Sequence, residues 1–166
     1  MASAAPEEDR SADLDHARSV AEKAGALYTR PPIPVVEVAR RHKVIVVPET
    51  FNRLSEKVAG ICQFDSSRIH VNAADPPARQ SYTIAHELGH WMLHRALFLK
   101  RPELYSFLPR VEDPPPSALE DEARHFADHL LVPRRLLAPV RKAPPVDLAR
   151  IFGVPLEIIE RRLENG

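Results

Sequence analysis

Apolar residues recur at helical spacing along much of the chain, and clusters of proline separate these stretches. In the first stretch, Leu14, Ala17, Ala21, Ala24 and Leu27 follow the spacing of one apolar helix face, which is typical of an amphipathic helix. The other helices show similar patterns, with proline either at a permitted start or as a break. The sequence predicts six helices, at about residues 13–27, 34–42, 78–97, 119–131, 146–152 and 156–163.

Three short segments between the second and third helices are typical of strands. Val44-Ile45-Val46-Val47 is a β-branched run, which favours a buried strand. Segments 58–64 and 68–72 flank Asp65-Ser66-Ser67, a turn sequence that predicts a hairpin. We therefore expect an α+β fold in which helices pack on a short mixed or antiparallel sheet. Residues 11–166 should form one domain ending in a helix pair at about 146–164, and residues 1–10 should be disordered.

Composition and charge place the chain among soluble globular proteins. It has 166 residues, of which 44% are apolar and 28% charged, and its 23 basic and 23 acidic side chains cancel. A protein that binds nucleic acid normally carries a basic surplus, so this class is disfavoured. Cys62 is the single cysteine, and no internal disulfide can form. The N-terminal residues lack the apolar core of a signal peptide, and no run approaches ~20 apolar residues, so we expect a cytoplasmic protein without membrane contact.

The segment His86-Glu87-Leu88-Gly89-His90 has the pattern HExxH. Two histidines four residues apart on a helix project from one face, so both can bind one Zn²⁺ ion through ring nitrogens. A glutamate beside the first histidine can then accept a proton from water that the metal polarises. The pattern predicts His86 and His90 as zinc ligands and Glu87 as the catalytic base of a metallopeptidase.

The helix that carries this pattern is apolar nearly all the way round. Within residues 84–97, one polar strip of about 100° contains His86, Glu87, His90 and His94. Such a helix is expected to be buried, and burying imidazoles and a carboxylate without partners is costly. A metal ion with its water would satisfy these groups.

The third protein ligand is expected on the helix that follows Ser117, where two glutamates compete. Ser117 and Glu120 have capping-box spacing, which would assign the Glu120 side chain to the backbone amide of Ser117. Glu122 lies one turn before Phe126, beside the apolar face of the same helix, and can point inward. We therefore predict Glu122 as the third ligand and keep Glu120 as the alternative.

Other polar residues near the pattern receive supporting roles. His94 lies ~12 Å along the helix from His86, so one metal cannot easily bind both, and His94 is expected to support the site or the core. His125 and His129 share a side of the second helix with Glu122; they either stabilise the oxyanion of a tetrahedral intermediate or simply pack there. Weaker candidates for the oxyanion role are Tyr82 and Tyr105.

Two longer signatures surround these residues. One is Val71-Asn72 followed by R-Q-S-Y-T-I-A-H-E-L-G-H at residues 79–90, and the other is E-A-R-H-F-A-D-H-L-L-V-P at residues 122–133. In this order they resemble the signatures of the ImmA/IrrE family of zinc peptidases, over about residues 14–164. The resemblance implies a small zincin-like metallopeptidase domain with Zn²⁺ as its cofactor. It assigns the metal to His86, His90 and Glu122, and the role of base to Glu87.

The resemblance also implies a protein substrate, because family members often remove or cleave helix-turn-helix repressors, and some belong to toxin–antitoxin pairs. We expect an endopeptidase that acts on a specific intracellular repressor or antitoxin. An extended segment of this substrate could pair with the exposed edge of the predicted hairpin. The alternative is a zinc-binding regulator or toxin that acts by binding without catalysis. The C-terminal helix pair resembles a DNA-binding motif, but Glu157 and Glu160 leave few donors for phosphates, so we expect packing or oligomerisation and no direct nucleic-acid contact.

Overall fold

The computed structural model describes residues 10–51, 58–101, 108–111 and 117–166. In these ranges the strands are β1 (Ile45–Glu49), β2 (Val58–Gln63), β3 (Arg68–Asn72) and β4 (Leu108–Val111). The helices are α1 (Leu14–Gly25), α2 (Val35–Arg41), α3 (Pro77–Lys100), α4 (Ala118–Leu131), α5 (Arg134–Leu137), α6 (Pro145–Phe152) and α7 (Leu156–Glu164). The expected α+β fold is confirmed.

Every helix predicted from the apolar spacing is present, with ends that differ by a few residues. Local sequence explains several of these ends. Asp13 accepts a hydrogen bond from the amide of His16 at the start of α1, and Ser117 accepts one from the amide of Glu120 at the start of α4. Gly153 ends α6 with a φ of 64°, a left-handed conformation that glycine adopts without a steric penalty.

The four strands form one mixed sheet in the order β1-β3-β2-β4. The predicted hairpin is confirmed, since β2 and β3 pair antiparallel with Gly60 opposite Val71. β1 pairs parallel to β3 and lies at an edge of the sheet, where Ile45 is 56% exposed. The prediction of a buried strand there was wrong, because β-branched residues suit an edge strand equally well.

The hairpin edge that we expected to receive a substrate strand is already occupied. β4 pairs antiparallel with β2 and places Arg110 opposite Gly60. β4 was not predicted; it lies between α3 and α4, in a region whose proline cluster indicated a break. Of the described strands, β1 and β4 are therefore the outer ones, and the prediction of an open β2 edge was wrong.

Helix α3 is buried between the sheet and α4, as its apolar circumference predicted. On the sheet side, a Cβ atom added to Gly60 of β2 would lie 2.5 Å from Thr83 Cγ2 and 3.4 Å from Glu87 Cγ. On the other side, a Cβ atom added to Gly89 would lie 3.0 Å from Phe126 Cδ1 and 3.1 Å from the Ala123 carbonyl oxygen. Glycine at these two positions lets α3 approach both neighbours closely enough to bring their side chains together.

The C-terminal helix pair packs against the same core. The Arg161 guanidinium donates to both carboxylate oxygens of Asp128 on α4, at 2.6 and 2.7 Å, and to the Tyr82 hydroxyl at 3.0 Å. Arg162 is buried and donates to the Val132 carbonyl at 3.0 Å. These contacts support the packing role expected for the pair, while the absence of direct nucleic-acid binding stays a prediction. In the described ranges, no helix is both long and apolar enough to cross a membrane.

The approach of α3 to α4 can be tested with Gly89→Ala. Helix propensity alone would make this variant more stable, by ~0.8–1.0 kcal/mol. Because the new methyl group meets Phe126 and the backbone of Ala123, we expect instead a loss of about 1–3 kcal/mol in the free energy of unfolding. Urea unfolding of the metal-free protein measures the change.

The control is Ala96→Gly, at an exposed position of the same helix. Because its side chain is exposed, this substitution changes only the helix propensity. It should lower the free energy of unfolding by about 1 kcal/mol. A Gly89→Ala variant more stable than the original protein would contradict the close approach.

Candidate metal centre

Two helices bring the candidate ligands together, and the glutamate that joins the two histidines is Glu120. The ring nitrogens of His86 and His90 share one face of α3, as the four-residue spacing predicted. The Glu120 carboxylate of α4 reaches both: its Oε2 lies 3.0 Å from His86 Nε2 and its Oε1 lies 2.9 Å from His90 Nε2. One ligand atom from each of the three residues falls within 4.8 Å of the others, so together they can hold one metal ion.

The structure does not bring Glu122, the predicted third ligand, to the two histidines; Glu120, the alternative, lies there instead. Glu120 and Glu122 are two residues apart, so their side chains leave α4 about 200° from each other. The Ser117 hydroxyl accepts from the amide of Glu120, which makes the helix cap without using the Glu120 carboxylate. Capping-box spacing therefore did not exclude Glu120 from the metal centre.

Glu122 lies in a separate, saturated site next to the first. Its two oxygens accept hydrogen bonds from Arg10 Nη1 and Nη2, from the amide of Asp13 and from His94 Nε2, each at 2.7 Å. Arg10 belongs to the segment expected to be disordered; residues 1–9 lie outside the described residues, and Arg10 itself has a defined partner. Sequence reasoning missed Arg10, because the acidic N-terminal segment has no periodicity that would indicate a contact.

Both glutamates are held in their ionised form. Burial by itself raises the pKa of Glu120, but hydrogen bonds from His86 and His90 outweigh it and hold that pKa well below its usual range. Burial also raises the pKa of Glu122, yet Arg10, the Asp13 amide and His94 lower it to about 2. Each carboxylate is therefore an acceptor at neutral pH.

His94 contacts His90, and the supporting role predicted for His94 stays a prediction. It is buried, and burial together with the neighbouring His90 ring lowers the pKa of His94 to about 4, so the ring is neutral at pH 7. His94 Nδ1 lies 3.0 Å from His90 Nδ1, and its other nitrogen contacts Glu122. Both ring nitrogens of His94 thus contact other side chains, and neither belongs to the group of candidate ligands.

His90 and His94 make more hydrogen-bond contacts than their N–H protons can supply. Three contacts lie in series: Glu120 to His90, His90 to His94, and His94 to Glu122. Ionised carboxylates only accept, and a neutral imidazole carries a single N–H. With His94 neutral and a single N–H on His90, the two rings provide two protons for three contacts. A cation between His90 Nε2 and Glu120 removes the shortage, because a metal binds the nitrogen lone pair and the carboxylate directly.

The donor set fits zinc. Two imidazole nitrogens and one carboxylate oxygen are the protein ligands of many catalytic zinc sites, which keep a further position for water. Ligand distances of ~2.0–2.1 Å in a tetrahedron place the ligand atoms roughly 3.3 Å apart. The measured spacing of Glu120 from the two histidines is close to this, so the site needs only small side-chain movements to accept an ion.

Glu87 occupies the position that the HExxH pattern predicts for a base. It follows His86 on α3, is 1% exposed, and faces β2 at the glycine where the sheet comes closest to the helix. The Glu87 side chain is therefore enclosed between the helix and the sheet. Its assignment as the base remains a prediction.

The oxyanion candidates lie on a different side of α4. His129 is stacked on His125 with 4.3 Å between ring centroids, and its Nε2 accepts from Arg162 of α7 at 3.3 Å. Because His129 is about 180° around α4 from Glu120, this pair faces the C-terminal helices, and the predicted oxyanion role does not fit its position. Tyr82 is nearer, with its ring 6.3 Å from that of His86, whereas Tyr105 lies outside the described residues.

These features define a class: a small zincin-like α+β domain whose candidate metal centre is built on two helices. The chain matches the model of the peptidase M78 family, described as an IrrE N-terminal-like domain, over residues 21–164. It therefore belongs to the ImmA/IrrE family of peptidases, as the two signatures indicated.

One solved structure, described as a Mycobacterium tuberculosis transcriptional regulator, is similar in fold. The TM-score is 0.63 at 20% sequence identity, over 89% of this chain and 46% of that chain. This chain thus spans less than half the length of that protein, and at such low identity the likeness concerns the fold alone. A comparison with curated proteins finds no significant match.

The choice of third ligand is tested by Glu120→Ala. Removing one of three ligands should weaken zinc binding by more than ~100-fold, because loss of a merely supporting residue already costs about 10–100-fold. Zinc affinity is measured by competition with a chromophoric chelator. The control is Asp121→Ala, which removes the neighbouring exposed carboxylate paired with Arg124. Zinc affinity equal to the original protein in Glu120→Ala would exclude Glu120 as a ligand.

Proposed function

We propose that this chain is a zinc-dependent endopeptidase in which His86, His90 and Glu120 hold the metal and Glu87 is the general base. The observation that carries the proposal is the convergence of the Glu120 carboxylate on both histidines of the HExxH helix. Membership of a peptidase family supports the reaction class. When bound, zinc supplies a Lewis acid that polarises a water molecule and the substrate carbonyl.

The protein residues divide the remaining work. Glu87 accepts the proton of the attacking water and later returns it to the leaving amine, so it must not be consumed as a ligand. Its enclosure between α3 and β2 keeps the carboxylate fixed beside the ligand histidines of the same helix. Glu120 and the two histidines present lone pairs to the metal, and the low pKa of Glu120 keeps its carboxylate ionised for that purpose.

The proposed substrate is a specific intracellular protein, namely a repressor or antitoxin of the helix-turn-helix type. The resemblance to the ImmA/IrrE family supports this substrate class. The sheet supports selectivity, because β4 already pairs with β2 beside the Glu87 helix. An extended chain can join the described sheet only at β1, at β4, or after β4 leaves β2. A folded partner that docks elsewhere on the chain would bring its extended segment to one of these edges, so selectivity would come from docking as well as from strand pairing.

The role of Glu87 is tested by Glu87→Gln. The amide cannot accept a proton from water, so we expect at least ~100-fold slower cleavage of the protein substrate, with zinc content unchanged at one equivalent per chain. The assay incubates zinc-loaded protein with a helix-turn-helix repressor encoded nearby and, separately, with unfolded casein, and follows cleavage by mass spectrometry. Asp121→Asn is the matched carboxylate-to-amide control and should cleave normally.

Each other outcome of this assay has a distinct meaning. Loss of zinc in Glu87→Gln would make Glu87 a ligand and overturn its role as the base. Rapid degradation of casein with the repressor intact would reject the proposed substrate class but keep the peptidase. An original protein that holds zinc and cleaves neither substrate would favour the alternative, a regulator or toxin that acts by binding.

A further inference from the structure

A buried carboxylate beside the metal centre has every lone pair engaged. Glu122 is 4% exposed and accepts four hydrogen bonds, the full capacity of a carboxylate. Three come from the segment that leads into α1, namely two from Arg10 and one from the amide of Asp13. The fourth comes from His94 on α3. Glu122 on α4 thus joins the N-terminal segment to the helix of the zinc ligands.

The direction of each hydrogen bond follows from this arrangement. Arg10 donates two parallel bonds to Glu122, so the carboxylate can only accept from His94 Nε2–H. A neutral His94 with its proton on Nε2 presents an acceptor at Nδ1. His90 Nδ1 must then be the donor across the 3.0 Å contact, and the lone pair of His90 lies on Nε2, which faces Glu120.

We propose that Glu122, fixed by Arg10, is a positioning residue that acts through His94 to set the tautomer and ring orientation of His90 for metal binding. The inference rests on the proposed metal centre and adds to it. A ligand histidine needs its free ring nitrogen to donate to a fixed acceptor, which keeps the other nitrogen free of a proton and aimed at the metal. Here that acceptor is another histidine, and Arg10 fixes the far end of the series.

The coupling makes the metal centre dependent on a residue outside the helical core. Arg10 is half-exposed, whereas its partner is buried, so the ion pair depends on how the segment before α1 docks onto α4. Release of Arg10 would free Glu122 to turn away from His94, and His90 would lose its fixed acceptor. The segment before α1 therefore sets metal affinity without touching the metal.

A purely structural ion pair between α1 and α4 would predict something different. It would lower the free energy of unfolding and leave the metal affinity of the folded protein unchanged. The two roles separate when zinc affinity and stability are measured on the same variants. Arg18→Gln is the matched control for Arg10→Gln, because Arg18 lies on α1 and pairs with the exposed Asp15.

The experiment measures the zinc dissociation constant of Arg10→Gln, Glu122→Gln and Arg18→Gln by chelator competition at pH 7, with urea unfolding of each metal-free protein. We expect about 10–100-fold weaker zinc binding in Arg10→Gln and Glu122→Gln, and no change in Arg18→Gln. Visible spectra of the Co²⁺-loaded proteins should shift in the first two variants, since the orientation of a ligand histidine changes. Arg10 is half-exposed, so its replacement should not prevent folding. The Arg10→Gln variant can therefore test the inference even if Glu122→Gln does not fold.

A conservative replacement of His94 completes the test. His94→Asn keeps an acceptor near the place of Nδ1, so it should retain more zinc affinity than His94→Leu, which has none. Equal affinity in the two His94 variants, or unchanged affinity in a folded Arg10→Gln, would overturn the inference while the metal centre stands. An original protein that binds no zinc would instead reject the proposed function on which the inference rests.

Discussion

The structure depends on the burial of a polar strip inside an otherwise apolar helix. Helix α3 is enclosed by the sheet on one side and by α4 on the other, so His86, Glu87, His90 and His94 are all removed from water. Buried imidazoles and carboxylates are stable only with partners. The first turn of α4 provides them, and the narrow gap at Gly89 brings that turn within reach. The close packing of α3 and α4 therefore determines which side chains meet at the site.

Two glutamates on the same turn divide the task because they leave the helix in nearly opposite directions. Glu120 faces the ligand histidines, whereas Glu122 faces His94 and the segment before α1. A low pKa keeps both ionised, although for different reasons: histidines surround the first, while a guanidinium and a backbone amide surround the second. The sequence E-D-E thus encodes one carboxylate that can bind a metal and another that orients the histidines.

Sequence patterns predicted those parts of the molecule that depend on local periodicity. The helices, the hairpin and the pair His86 and His90 follow from spacing alone, since a helix fixes which side chains share a face. The third ligand did not follow. Glu120 and Glu122 differ by about 200° around α4, and only the angle between α3 and α4 decides which one reaches the histidines. That angle is a property of packing, which the spacing of one helix does not contain.

The pairing of β4 with β2 and the contact of Arg10 with Glu122 were also missed from the sequence, because both depend on residues far apart in the chain. β4 pairs with β2 through backbone groups and includes Pro109 opposite Ile61, so no strand-like side-chain pattern marked it. Arg10 lies in a segment whose composition is typical of disorder, and its contact with Glu122 depends on a partner 112 residues away. Such long-range pairs leave no periodic trace in the sequence.

The charges of the site favour a divalent cation, as its geometry does. Arg10 offsets the negative charge of Glu122, and His94 is neutral. The two remaining carboxylates, Glu87 and Glu120, carry two negative charges when both are ionised, in a region that water does not solvate well. Negative charge is costly to bury, and a divalent cation bound to Glu120 and the two histidines would offset it. In the proposed scheme Glu87 is not a ligand, so its carboxylate can take up a proton from water that the cation polarises.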